Sequence, residues 1–230
     1  MKPVKTIVSL FAMCAYLQSC TPQATNTPPA KQTVTYTTPA TPEEALNMLK
    51  EGNQRLLSDS LRNTNYKEQI AATKDAQHPY SLVLCCMDSR LVPEIIFDQG
   101  IGNLFVSRVA GNIEDTDILG SMEYAAVVKG VKLIVVMGHT HCGAVTGAIS
   151  GGGTLPDNLA KLLSKISVAK TGDTSNKEQM IDASARNNVK MTIANITKNS
   201  KALSNLVNEK KLLIVAAYYD VATGKVEFIQ

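Results

Sequence analysis

Tryptophan is absent from this 230-residue chain, histidine occurs three times, and aromatic residues make up only 5%. Nor does the chain show an apolar run of the roughly 20 residues that a membrane-spanning helix needs. The run at 7–17, broken only by Ser9, falls well short. An excess of one charge is missing too. The net charge is +3, of which Lys2 and Lys5 supply two, leaving +1 for everything after them. Without a basic stripe, nucleic acid is excluded as a partner. Five cysteines, at 14, 20, 85, 86 and 142, are too few and too irregularly spaced for a disulfide framework. What remains is a globular composition, 44% hydrophobic and 19% charged, on a chain long enough for one domain with a real core.

The first 19 residues read as a targeting segment, positive at Lys2 and Lys5 and then apolar. Leu17-Gln18-Ser19-Cys20 resembles a bacterial lipobox. That reading makes Cys20 the lipidated first residue of an exported protein, tethered on the periplasmic side of a bacterial membrane. The alternative is an ordinary secretory signal that leaves Cys20 free. Residues 20–41 form a Thr- and Pro-rich linker with no period and too little apolar surface to order itself. Folded structure is predicted from residue 42. Thr41-Pro42-Glu43-Glu44 is a capping box with proline at the first helical position, and Leu46, Leu49 and Leu56 supply an apolar face. Gly52-Asn53 is expected to interrupt that helix.

Beyond it, short apolar runs alternate with helical patterns. Strands are predicted at 82–84, 104–109, 131–137, 212–218 and 226–229, and a tight turn at 110–112. Helices are predicted at 69–76, 117–129, from 142 onward, at 159–166 and at 188–207, with a short helix or turn at 95–97. The fold class is therefore α/β, a mostly parallel sheet with an antiparallel edge strand, flanked by helices.

Two of these strands end in chemistry. The first runs into Cys85-Cys86-Met87-Asp88-Ser89-Arg90, and extended alternation would point Cys86, Asp88 and Arg90 one way and Cys85, Met87 and Ser89 the other. Cys85 then reads as a small hydrophobe on the opposite face. Another strand ends in His139-Thr140-His141-Cys142-Gly143. Two thiols and an imidazole from two strand ends are a ligand set suited to zinc. Cys142 falls at a predicted helix start, where the dipole favours a thiolate.

The spans Cys86-Met87-Asp88-Ser89-Arg90 and His139-Thr140-His141-Cys142-Gly143 resemble the Cys-x-Asp-Ser-Arg and His-x-x-Cys-Gly motifs of the β class of carbonic anhydrases. Gly52-Asn53-Gln54-Arg55, Gln77-His78-Pro79, 105–112, Glu123-Tyr124-Ala125 and 219–224 are similar to further signatures of that family, in family order, so the resemblance covers residues 42–230. It implies one Zn²⁺ per subunit on Cys86, His139 and Cys142, and a catalytic dyad of Asp88 and Arg90. It also implies a carbon dioxide pocket shaped by Gln77, Phe105, Ala110 and Tyr124. That pocket would be lined from both subunits of a homodimer or a tetramer of dimers.

The expected reaction is the reversible hydration of carbon dioxide to bicarbonate and a proton. Three protein ligands leave one vertex of tetrahedral zinc for water, which becomes a hydroxide nucleophile near neutral pH. Two thiolates offset the metal's charge, so activity should climb above neutral pH. Arg90 would keep Asp88 ionised and oriented toward that water. Some family members close the site by bringing the aspartate onto zinc, and these carry a tryptophan at a regulatory bicarbonate pocket. Here Val83 stands at the matching position, with Arg108 retained, so the open arrangement is expected. Two alternatives remain: a carbonyl sulfide or carbon disulfide hydrolase on the same scaffold, and an inactive zinc-binding surface lipoprotein. An intact Asp88–Arg90 pair argues against the latter.

Overall fold

The computed structural model describes residues 36–151, 154–168 and 176–229. The targeting segment, Cys20 and the linker up to residue 35 lie outside the described residues. Strands β1 (Ser81–Cys85), β2 (Leu104–Arg108), β3 (Leu133–His139), β4 (Leu213–Tyr219) and β5 (Val226–Ile229) form one sheet in the order β2-β1-β3-β4-β5. β2, β1, β3 and β4 run parallel, and β5 closes the edge antiparallel to β4. The fold class read from the sequence is the one observed.

Every residue of β1 and β3 is buried. Such strands need apolar side chains on both faces, which is why they read as unbroken apolar runs rather than alternating ones. Leu82, Leu84, Ile134 and Val136 face a core with Met122, Val189, Ile196 and Leu203. Val83, Leu133, Val135 and Met137 face another with Ala45, Leu49, Phe97 and Tyr218. Each such side chain contributes roughly 1.5–3 kcal/mol on burial.

Helix α1 (Pro42–Leu57) begins at the predicted box, where Thr41 Oγ1 accepts from the Glu44 amide at 3.1 Å. Order starts earlier than residue 42, however. Pro39 is buried, the Tyr36 ring lies 5.1 Å from that of His78, and Glu44 accepts from the Ala40 amide. Gly52-Asn53 does not interrupt the helix. Gly52 is there because a Cβ would stand 1.7 Å from the Phe97 carbonyl oxygen. Asn53 is buried and ties three segments, donating to the Ile96 and Gly224 carbonyls and accepting from the Val226 amide.

Next come α2 (Tyr66–Thr73), α3 (Pro93–Ile96) and α4 (Thr116–Glu123). α2 starts three residues before the predicted span because Asn65 caps it. The helix expected over 117–129 changes to π geometry at Tyr124–Val128. Then follow α5 (Gly143–Ile149), α6 (Asp157–Leu163), α7 (Lys177–Asn199) and α8 (Lys201–Asn208). The single helix expected over 188–207 is thus two. Ser200 is extended (φ −120°, ψ 104°), and its hydroxyl accepts from the Leu203 amide while donating to Glu123 at 2.6 Å. A side chain that offers the backbone a cap competes with continued helix, and here the cap wins. Among the described residues, no helix is long and apolar enough to cross a membrane.

Gly52→Ala should destabilise the protein by about 1–3 kcal/mol or more, because the Phe97 carbonyl belongs to backbone and cannot swing aside. Urea unfolding checks this, and a loss within about 0.5 kcal/mol, typical of surface changes, would show that α1 does not press on that turn as described.

Candidate metal centre and active site

β1 and β3 are parallel neighbours with Cys85 opposite Met137, so both release the chain at one edge of the sheet. Ligand sites of open α/β sheets lie outside that carboxyl edge. Cys86 follows β1, His139 ends β3, and Cys142 precedes α5. All three are buried, and their ligand atoms lie within 4.8 Å of one another. The Cys86 and Cys142 sulfurs are 4.0 Å apart. Two Zn–S bonds of about 2.3 Å at a tetrahedral angle would place them about 3.8 Å apart.

The histidine fits a metal equally well. Nδ1 lies 2.9 Å from the Thr140 carbonyl oxygen, which can only accept, so the proton sits on Nδ1 and Nε2 keeps its lone pair. Nε2 is buried with no hydrogen-bond partner. Such a group costs about 1–3 kcal/mol unless something takes the lone pair. Thr140 is itself fixed: its amide donates to Tyr219 O and its hydroxyl accepts from the Val221 amide.

Neighbouring thiols behave differently. Burial pushes Cys85 up to about 12, so it stays protonated. Cys86 is lowered to about 4, first by a hydrogen bond from Cys142 and further by the Gly111 amide. The same contact raises Cys142, against the pull of the Val145 and Ala144 amides at the start of α5. Without a cation, the two thiols hold one proton between them. A divalent ion held by Cys86 and Cys142 would take the place of that proton and satisfy both sulfurs. The Cys86–His139–Cys142 set therefore fits zinc.

The alternation expected beyond Cys86 does not occur. β1 ends at Cys85, and 86–90 leaves the sheet in a turn in which the Arg90 amide donates to Asp88 Oδ1. Cys85 consequently packs with Val83 in the same core cluster as Cys86, not on the opposite face. The turn brings Asp88 and Arg90 together more closely than a strand would. Arg90 Nε donates to Oδ1 at 2.9 Å and Nη2 to Oδ2 at 2.7 Å. This fork holds the Asp88 carboxyl well below the usual carboxylate range. Arg108 secures the turn from β2, donating to the carbonyls of Cys86 and Asp88.

The four residues assigned to a substrate pocket do not meet in one chain. Phe105 and Tyr124 do, edge to face at 6.3 Å between ring centroids, in a cleft of about 660 Å³ with Leu82, Ser107 and Asp117. Gln77 lines a separate depression with Thr73, Ile101 and Lys129. Ala110 is half-buried in the 3₁₀ turn Ala110–Asn112, near the sulfur of Cys86. Sequence reasoning missed Asn188, a buried α7 residue that donates to the Gly111 carbonyl at 2.7 Å. A lone asparagine on a helix face carries no local signal of that contact.

A buried sulfur–nitrogen–sulfur set, three ligands rather than four, beside an ionised carboxylate, defines a class of metal enzymes that activate water. Comparison with known proteins narrows the class. The family model described as carbonic anhydrase matches residues 81–226. Carbonic anhydrase 2 of Mycobacterium tuberculosis is 34% identical over 188 residues, covering 80% of this chain and 91% of the relative. A carbonic anhydrase of Mycolicibacterium smegmatis is 34% identical over 194 residues, covering 81% and 92%. Among solved structures, the β-carbonic anhydrase CcaA superposes with a TM-score of 0.64 at 25% identity, over 81% of this chain and 95% of its own. A tetrameric β-carbonic anhydrase of the filamentous ascomycete Sordaria macrospora shares the fold, with a TM-score of 0.62 at 24% identity, over 81% and 97%. The chain belongs to the carbonic anhydrase family, in its β class.

Cys142→Ser and His139→Ala should each reduce bound zinc from about one ion per chain, the complement of a three-ligand catalytic site, to a trace. Elemental analysis of purified, folded protein measures this. Full zinc content in both variants would move the metal elsewhere.

Proposed function

We propose that this chain hydrates carbon dioxide reversibly to bicarbonate and a proton, with Cys86, His139 and Cys142 holding zinc and Asp88 acting beside them. The observation that carries this reading is His139: its Nδ1 proton is committed to Thr140 while its buried Nε2 has no partner but a metal to face. Zinc supplies a Lewis acid that makes water acidic enough to attack near neutral pH. The protein's own groups do the rest. Asp88 Oδ1 already accepts two hydrogen bonds from Arg90, whereas Oδ2 accepts one. Oδ2 therefore keeps a lone pair with which to accept from the attacking water and turn its oxygen toward the substrate carbon. Arg90 fixes that carboxylate and keeps it charged, so Oδ2 orients the water without removing its nucleophilicity. Phe105, Tyr124 and Ala110 would offer carbon dioxide an apolar wall, with Gln77 as the polar contact.

Assembly as a homodimer, or as a tetramer of dimers, supports this pocket. Gln77 lines one depression of the chain and Phe105 with Tyr124 another, which supports a lining shared between two copies. β2 lies at the sheet edge, and Tyr124, Val127 and Val128 are exposed by 46%, 58% and 65%. Apolar surface of that kind marks an interface. The amino-terminal sequence adds a location: export, lipidation at Cys20 and residence on the periplasmic side of a bacterial membrane.

Asp88→Asn should retain zinc and lose about 10²-fold in turnover, within the range for a group that handles a proton in the transition state. Stopped-flow hydration assays with parallel metal analysis test it, and native turnover in a zinc-loaded variant would remove Asp88 from the chemistry. Sedimentation of the native protein should show a dimer or larger species; a monomer with full activity would refute the shared pocket. Cys20→Ala should abolish incorporation of labelled fatty acid into the protein, and a native protein that takes up no label, or a variant that still does, would argue against the anchor at Cys20.

A further inference from the structure

Asn188 lies on α7, a helix that supplies neither a proposed ligand nor a pocket residue, and its amide is 1% exposed. Both of its polar atoms are used. Nδ2 donates to the Gly111 carbonyl at 2.7 Å, and Oδ1 accepts from the Ser167 amide at 2.9 Å. Gly111 is thereby held between α7 and the segment that follows α6. Its conformation is one that side chains resist, φ +73°, and a Cβ there would come within 2.6 Å of Ile166 Cδ1. Only glycine both takes this turn and lets Ile166 close over it. In the position so fixed, the Gly111 N–H donates to the sulfur of Cys86 at 3.5 Å.

We infer that Asn188 is a positioning residue for the metal centre, acting through Gly111: it anchors the turn whose backbone N–H withdraws charge from the Cys86 sulfur. The inference rests on the zinc-site reading above and deepens it. Hydrogen bonds to ligating sulfur are a principal means by which a protein tunes the metal that the sulfur holds. Two thiolates would donate enough charge to blunt a divalent ion, and backbone N–H groups take part of it back: Ala144 and Val145 at Cys142, from its own helix, and Gly111 at Cys86. The asymmetry is specific. Cys86 receives a donor from outside its own segment, held by a helix 77 positions further along the chain.

The neighbouring Asn187 provides an internal control. Its Nδ2 donates to Ser167 Oγ at 2.9 Å, so it helps to hold the same loop, whereas the side-chain hydrogen bond to the Gly111 carbonyl comes from Asn188. The test uses full-length protein with cobalt(II) in place of zinc, where sulfur-to-metal charge transfer gives an absorption band. A sulfur stripped of its hydrogen bond is easier to oxidise, so its band moves to longer wavelength. Asn188→Leu should show that shift, and Asn187→Ala should leave the band in place. Equal shifts in both variants, or none in Asn188→Leu, would overturn the role of Asn188. If Asn188→Leu does not fold, the native protein loaded with cadmium-113 and labelled with nitrogen-15 glycine decides the question. The Gly111 amide proton should then show scalar coupling to the metal through the N–H···S bond, and its absence would sink the proposal. A native protein that takes up cobalt without any sulfur charge-transfer band would overturn the metal site itself, and this inference with it.

Discussion

Two sulfurs 4.0 Å apart inside a protein cannot both carry a full negative charge unless a cation lies between them. Much of the surrounding architecture serves that condition. Parallel pairing of β1 with β3 brings Cys86 and His139 to one edge of the sheet, and a four-residue step from His139 to the start of α5 adds Cys142. The Thr140 carbonyl chooses the histidine tautomer, and the β4 backbone holds Thr140 in turn. The sheet is thus a ruler for three donor atoms, and its apolar faces keep the ruler rigid.

The same edge shows how a short turn can do more than a strand. Had β1 continued through Arg90, Asp88 and Arg90 would have shared one face of the pleat but stood roughly 6.5 Å apart along it. Leaving the sheet after Cys85 allows Arg90 to fold back and grip Asp88 with both its backbone and its guanidinium. Arg108, from the neighbouring strand, holds the carbonyls of the turn. Charge and shape are set together: a carboxylate gripped on one side presents a single free lone pair on the other.

Much of this was legible in the sequence, and the reason is physical. Buried parallel strands demand unbroken apolar runs, so 82–84 and 133–137 could be read directly, and soft ligands at their ends stand out against an otherwise ordinary composition. What was not legible depends on contacts distant in sequence or on competition between local options. Gly52 reads as a helix breaker until the Phe97 carbonyl is placed against it. Ser200 is an unremarkable helix residue until Glu123 offers its hydroxyl an acceptor. Asn188 shows no local pattern because its partners lie in two other segments. Gln77 and Tyr124 stand apart in one chain, and only the family resemblance links them.

Asn53 carries a consequence of a different kind. Its side chain closes contacts to Gly224 and Val226, 171 and 173 positions away. The first helix therefore cannot satisfy its buried amide until the last strand has left the ribosome. Completion of the α1 packing is thereby tied to the strand that closes the sheet edge, so the two ends of the described domain lock together in one step.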